Sequence, residues 1–169
     1  MTGYDIVQLT ADDWQAYKAI RLEALRNAPQ AFGSTYADNM KHPDSFWRGR
    51  LEEAAAGERS WLLFARHEDQ LVGLIGAFND DDPTAVQIIS MYITPAFRGQ
   101  GVASALMSAI LNILQQQARF QVARLTVNAE QTAAVRLYER LGFEIEKTEW
   151  LPAGDSQFHD IHTMAKALR

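Results

Sequence analysis

Residues 86–118 restrict the fold more than any other part of this chain. They read Val86-Gln-Ile-Ile-Ser-Met-Tyr-Ile93, Thr-Pro-Ala-Phe97, Arg98-Gly99-Gln100-Gly101-Val102-Ala103, then a long apolar-periodic segment. The first part is β-branched and aromatic, the composition of a strand. Val86 and Ile88 share one face, whereas Ile89, Met91 and Ile93 share the other. The alternation slips, and one extra residue, a β-bulge, is the simplest cause. Pro95 lacks an amide hydrogen and stops the ladder. After Gly101 the period changes. Ala103, Leu106, Met107, Ile110, Ile113 and Leu114 recur at helical spacing, which predicts a helix with one buried face.

Strand, glycine turn and helix make an anion-binding arrangement. The first-turn amides of a helix have no intrahelical partner and point at whatever sits on its N-terminus. Gly99 and Gly101 permit a tight turn and close approach to the backbone. Arg98 adds a fixed positive charge suited to phosphate. A bare Gly-x-Gly is equally often an ordinary loop; the bulge, the arginine and the clean helix favour the ligand.

Arg98, Gly101 and Ala103 resemble the pyrophosphate loop of the GCN5-related N-acetyltransferases, the GNAT superfamily, which use acetyl-coenzyme A. A second stretch about thirty residues on, Ala134, Leu137, Tyr138, Gly142 and Phe143, resembles that family's Asn-x-x-Ala-x-x-Leu-Tyr motif and its following Gly-Phe. The two motifs, in this order and at this spacing, are specific for the superfamily and say little about the acceptor. The resemblance implies a single domain over residues 1–169 and acetyl-coenzyme A as co-substrate.

The 169 residues suffice for one domain with a sizeable core. A formal net charge of −5 disfavours a nucleic-acid backbone as partner. The absence of cysteine excludes disulfides, a thiol nucleophile and thiolate metal sites. No basic region followed by an apolar run opens the chain, and no apolar stretch reaches membrane-span length, so a cytoplasmic protein without membrane contact is expected.

In chain order, Tyr4 to Leu9 alternates as a strand. Thr10 and Asp13 form a capping-box-like start for a helix ending near Pro29. Its Arg21-Leu22-Glu23-Ala24-Leu25 stretch resembles the family's first helix, which borders the acceptor site. Phe32 to His42 lacks sustained period and reads as loop with a helical turn. The resemblance makes Phe32 and Tyr36 candidates for a wall of the acceptor cleft; alternatively they pin the loop to the core. A helix follows from Asp44 or Ser45 to Gly57. Ser60–His67 and Gln70–Phe78 read as a hairpin, with Gly73 and Gly76 marking close approach by a helix, a bulge or a substrate. Asn79 to Pro83 is an acidic turn that either faces solvent or attracts a cation. Ala123–Asn128 is a strand, Thr132–Leu141 a helix stopped by Gly142, and Phe143–Trp150 and Phe158–Ala167 are strands. Seven strands and four helices of this order predict an α/β fold: a mixed, mostly antiparallel sheet with helices on both faces.

The resemblance implies that Tyr138 lies beside the coenzyme sulfur and protonates it on departure. A phenol keeps its proton at neutral pH, which agrees. Two positions depart from the family pattern. Gln131 stands where the motif has asparagine, and Gln87 stands where many relatives place a glutamate. An amide accepts no proton, so the base must lie elsewhere. Glu23 is the candidate, with His162 and Glu130 behind it. By the same resemblance, the backbone around Met91 and Ile93 pairs with the pantetheine arm and polarises the thioester carbonyl. Arg98, Gly99, Gln100, Gly101, Val102 and Ala103 hold the pyrophosphate, and Arg136 and Arg140 could reach an outer phosphate. His159 and His162, three apart in a strand, point to opposite faces, and no metal is implied.

The expected activity is direct acetyl transfer to an amine in a ternary complex. The acceptor is a polyamine, another small amine, an amino acid, a drug or a protein amine, and the acidic balance leans toward a cationic small molecule. A second copy of the chain is a further candidate partner. The rival readings are a non-catalytic acyl-coenzyme A-binding module, which the Gln87 departure favours and Tyr138 opposes, and a domain that binds no cofactor, which the Arg98–Gly101 loop opposes.

Overall fold

The computed structural model describes residues 3–169; Met1 and Thr2, the start of the stretch without a leader pattern, lie outside the described residues. The chain runs β1 (Asp5–Val7), α1 (Trp14–Asn27), α2 (Tyr36–Met40), α3 (Asp44–Ala56), β2 (Ser60–His67), β3 (Gln70–Asn79), β4 (Ala85–Ile93), α4 (Val102–Gln115), β5 (Val122–Asn128), α5 (Thr132–Arg140), β6 (Glu144–Pro152) and β7 (Phe158–Ala167). The seven strands form one sheet in the order β1-β2-β3-β4-β5-β7-β6. Only β4 and β5 pair in parallel among the described strands.

The expected α/β architecture is present, with differences at the edges. Among the described residues there are five α-helices, because the segment expected as loop with a turn closes into α2. Thr35 caps it, its Oγ1 accepting the Asp38 amide at 3.1 Å. The first strand is shorter than Tyr4 to Leu9. The sixth extends through Pro152, which a strand tolerates at the sheet edge where no partner needs its amide.

Each face of the sheet carries its own core. On one, Leu106, Met107, Ile110 and Leu114 of α4 pack on Ile75, Val86, Ile88 and Leu125. On the other, Tyr17, Ile20, Trp47 and Leu51 of α1 and α3 pack on Phe64, Leu74 and Tyr92. Burying each such side chain contributes about 1.5–3 kcal/mol. Gly73 and Gly76 serve this packing rather than a substrate. A Cβ on Gly73 would stand 2.9 Å from Ile93 Cδ1 and 3.2 Å from Leu106 Cδ1; one on Gly76 would meet Leu62 Cδ2 at 3.1 Å.

The bulge in β4 falls at Ser90 and Met91. Gly76 pairs with Ile89 and Leu74 with Tyr92, so two β4 residues oppose one on β3, and Ser90 takes φ 65°. Its effect on facing differs from the sequence expectation. Ile93 rejoins Val86 and Ile88 in the α4 core, Tyr92 enters the opposite core, and Ile89 faces away from Ile93. The alternation locates a slip but not the residue that absorbs it.

The parallel pairing of β4 with β5 ends at Gln87 opposite Arg124. Beyond it the strands diverge, and β4 from Ile88 to Ile93 has no partner on that side. The acidic turn lies at the other end. Asp80 accepts from Gln87 Nε2 at 2.6 Å, which holds its carboxyl below the usual range. At ~3.3 Å per residue the turn is roughly 25 Å, and Gln87 roughly 20 Å, along β4 from its C-terminal end.

The loop between β6 and β7 docks on the 3₁₀ turn Pro29–Ala31, with the Gly154 amide donating to Phe32 O at 2.6 Å. A Cβ at Gly154 would lie 2.6, 2.9 and 3.0 Å from the carbonyl oxygens of Ser34, Pro29 and Phe32. Three backbone atoms cannot yield as a side chain would. Gly154→Ala should therefore lower unfolding stability by about 1–3 kcal/mol, the usual cost of overpacking. Urea denaturation measures it, and an unchanged midpoint would show that this loop is not clamped.

Candidate active site

The divergence of β4 and β5 opens a cavity of about 470 Å³. Its walls are the 3₁₀ turn after α1, the bulged end of β4, the loop into α4, and α5. Gly99 and Gly101 have φ 74° and 84°, and a Cβ on either would meet nothing within 4 Å. This is open left-handed backbone that other L-residues adopt only with strain. The first backbone bond of α4 runs from Ala105 N to Gly101 O at 3.0 Å, so the amides of Val102, Ala103 and Ser104 precede it and face the cavity mouth. Val102 contributes only its amide, because its side chain is in the core at 1% exposure.

Arg98 folds back over the end of β4. Its Nε donates to Ile93 O at 2.9 Å, and its guanidinium lies 5.6 Å from the Tyr92 ring centroid. One edge of the guanidinium is thereby fixed while the rest borders the cavity. Gln100 is exposed and turned away, donating to Ala96 O at 3.1 Å, and its side chain does not line the cavity.

Tyr138 projects from α5 into the same cavity. Gly142, at φ 97°, ends that helix, and Phe143 packs edge-on against the Tyr138 ring with centroids 6.1 Å apart. The residue is 6% exposed, and burial pushes its phenol up to about 12. Gln131 at the start of α5 lines the cavity; so does Arg140, whereas Arg136 does not. Met91 and Ile93 line it from β4, and Phe32 from the turn after α1.

Glu23 is one layer behind. Its Oε2 accepts from Tyr92 Oη at 2.7 Å and from Thr94 Oγ1 at 2.8 Å, while Asn27 Nδ2 donates to Tyr92 Oη at 3.1 Å. Burial first, then the bond to Glu23, raises the Tyr92 phenol above its ordinary value. Tyr92 lines the cavity and Glu23 does not, so Glu23 meets the cavity through Tyr92. Tyr36 is not in these walls. The cap at Thr35 starts α2 so that Tyr36 lies 6.0 Å beneath the Arg26 guanidinium.

The lesser base candidates sit elsewhere. Thr148 Oγ1 and His162 Nδ1 are 2.7 Å apart, and Glu130 is an exposed carboxylate 3.5 Å from His159 Nδ1. Among the described residues no group of three His, Cys, Asp or Glu could hold a metal ion, and no helix is long and apolar enough to cross a membrane.

Sequence reasoning missed Tyr92, Asn27 and Asn128. Tyr92 looks like any strand aromatic, and only the bulge turns its hydroxyl toward α1. Asn128, 2% exposed, donates to Gln30 O at 3.0 Å and so supports the wall formed by the 3₁₀ turn. An asparagine ending a strand carries no signal for that contact.

The fold has known relatives. Human N-acetyltransferase 8B is 36% identical over 118 residues, covering 64% of this chain and 48% of that protein, so the chain matches about half the length of that relative. The L-amino acid N-acetyltransferase AaaT of Escherichia coli is 27% identical over 154 residues, covering 89% of this chain and 91% of that protein. A GNAT-family acetyltransferase structure from Streptococcus pneumoniae superposes with a TM-score of 0.85 at 20% identity, covering 98% of this chain and 99% of that one. Residues 14–143 match the acetyltransferase (GNAT) family model, and this chain belongs to that family.

Proposed function

We propose that this protein transfers an acetyl group from acetyl-coenzyme A to the amine of a small acceptor, within a complex holding both substrates. The observation that carries the reading is the meeting, in one cavity, of an open glycine turn, an unpaired strand edge and a buried tyrosine. The coenzyme fits these residues. Its pyrophosphate needs backbone donors without Cβ obstruction, as at Gly99, Gly101 and the first turn of α4. Its amide-bearing arm needs a free strand edge, as at Met91 to Ile93. Bound there, it supplies an activated acetyl thioester.

The protein's own groups then do three things. Backbone amides at the β4 bulge polarise the carbonyl where negative charge develops. Tyr138 holds a proton at Oη for the departing sulfur. Its raised pKa keeps that proton in place at neutral pH, and the same dry surroundings raise the sulfur's proton affinity. Glu23, through Tyr92 and a solvent path, accepts the proton the amine must lose. A lysine-like amine has a pKa of ~10.4, so presenting it neutral at pH 7 costs about 4–5 kcal/mol.

Titration of acetyl-coenzyme A followed by thiol release over a panel of amines tests the activity. Binding without release for any amine would leave a coenzyme-binding module in its place. Glu23→Gln tests the base. The variant should lose about 10²-fold or more in turnover near neutrality, and the deficit should shrink as pH rises and the amine deprotonates unaided. A deficit constant with pH would assign Glu23 to binding or to holding Tyr92.

A further inference from the structure

A second cavity, of about 240 Å³, lies on the other side of the β4 bulge. Ser90 lines it while the next residue, Met91, lines the main cavity. Phe32 is a wall of the main cavity, and the guanidinium of Arg21, which lines the second, lies 5.2 Å from its ring centroid.

The lining of this second cavity is cationic and contains no carboxylate. Arg21 and Arg50 both line it, and neither forms an ion pair among the described residues. This is unusual in a chain of net charge −5. Arg21 Nη1 is fully buried and has no hydrogen-bond partner, and Nε1 of Trp47, another residue of this lining, is in the same condition. These are the two buried side-chain polar atoms without a partner among the described residues. Both are donors. Burial is the main influence lowering Arg21 from its ordinary value, with the neighbouring Arg50 charge adding to it and Tyr17 opposing it. A guanidinium nevertheless stays protonated at neutral pH. Arg21 as a whole is half-buried, and leaving its Nη1 and the Trp47 N–H without partners costs free energy. A lining of two arginines without a carboxylate suits a group that only accepts hydrogen bonds and carries negative charge, and a carboxylate does this.

We infer that the cavity between Arg21, Arg50 and Trp47 binds the carboxylate of the acceptor, whose amine passes Phe32 to reach the main cavity. The acceptor is then an amino acid or a related amino-carboxylate, not a polyamine. This rests on the acetyl-transfer reading above and specifies its substrate class. Aromatic walls from Phe46 and Trp47 suit an apolar stem between the two charged ends.

The test compares free L-amino acids, the ω-amino acids β-alanine and γ-aminobutyrate, the α-amides of the same L-amino acids, and spermidine. Carboxylate-bearing amines should exceed their amides and spermidine by at least about tenfold in kcat/KM. Arg21→Met should reduce kcat/KM for the carboxylates by roughly 10–100-fold, the worth of a charge-assisted hydrogen bond, and leave the amides nearly unchanged. Its thermal midpoint should hold or rise, because a half-buried cation with an unpaired buried Nη1 is replaced by an apolar chain of similar length. A falling midpoint with unchanged acceptor preference would make Arg21 a structural residue and overturn the proposal. So would equal use of amides, or preference for spermidine, and either result would leave acetyl transfer intact. If no amine of any class is acetylated, the transfer reading itself fails. The anion site is then judged by calorimetry with N-acetyl-L-amino acids, and binding lost in Arg21→Met sustains it while no binding overturns it.

Discussion

Tyr138→Phe should slow acetyl transfer by roughly 10²–10⁴-fold, the usual worth of a positioned general acid, with acetyl-coenzyme A affinity within about twofold of the parent. The rate loss corresponds to about 3–6 kcal/mol of transition-state stabilisation. The ring remains, so its edge-on contact with Phe143 and its burial against the core persist, and the thermal midpoint at neutral pH should move little. The alkaline range provides a second readout. Burial raises this phenol to about 12 in the folded protein, against ~10 in an unfolded chain. A raised pKa means that the folded state favours the protonated form. The associated stability is complete below about pH 10 and is lost as pH climbs toward the folded value. The parent should therefore lose more stability than Tyr138→Phe between about pH 10 and pH 12. Near-normal turnover in the variant would remove Tyr138 as an essential acid and leave it as a packing residue. Calorimetry for affinity, thiol release for rate and denaturation across pH separate these outcomes.

Gly101→Glu should abolish measurable acetyl-coenzyme A binding. Two effects combine at this position. Its φ of 84° disfavours any side chain, at a cost of about 1–2 kcal/mol. The new carboxylate would also sit before the amides of Val102, Ala103 and Ser104 and occupy them as an internal anion, which a helix N-terminus favours. Gly101→Ala separates the terms, since it carries the backbone strain without the charge and should lose far less affinity. Arg98→Ala should weaken binding moderately, and the loss should shrink as salt rises, because Arg98 is exposed and its charge is screened. Unchanged affinity in a folded Gly101→Glu protein would place the coenzyme elsewhere.

The site is divided between what a local pattern can carry and what it cannot. The turn from β4 to α4, the helical period after Gly101 and the Tyr138 motif depend on residues within a few positions of one another. Their chemistry follows from backbone dihedrals and helix ends, which a short stretch determines. The seven strands and the placement of helices on both faces were legible for the same reason, since period 2 and period 3.6 are local properties. The boundaries shifted where tertiary contacts ruled, as at α2, where the Thr35 cap closes a helix from a stretch without sustained period.

Only the folded chain decides which distant side chains meet. Glu23 lies 69 residues from Tyr92, yet their oxygens are 2.7 Å apart. Tyr36, read as a wall, is drawn to Arg26, and Gln100 turns from the cavity to the Ala96 carbonyl. The −5 net charge pointed toward a cationic acceptor, but a sum over the chain says nothing about placement. The acidic turn lies at the far end of β4, while Arg21 and Arg50 gather beside the bulge. The residues proposed to hold the coenzyme and to act as acid were legible in local sequence because each group is built from neighbouring residues. The second cavity is assembled from α1, α3 and β4 among other segments, and its charge exists only where those elements converge.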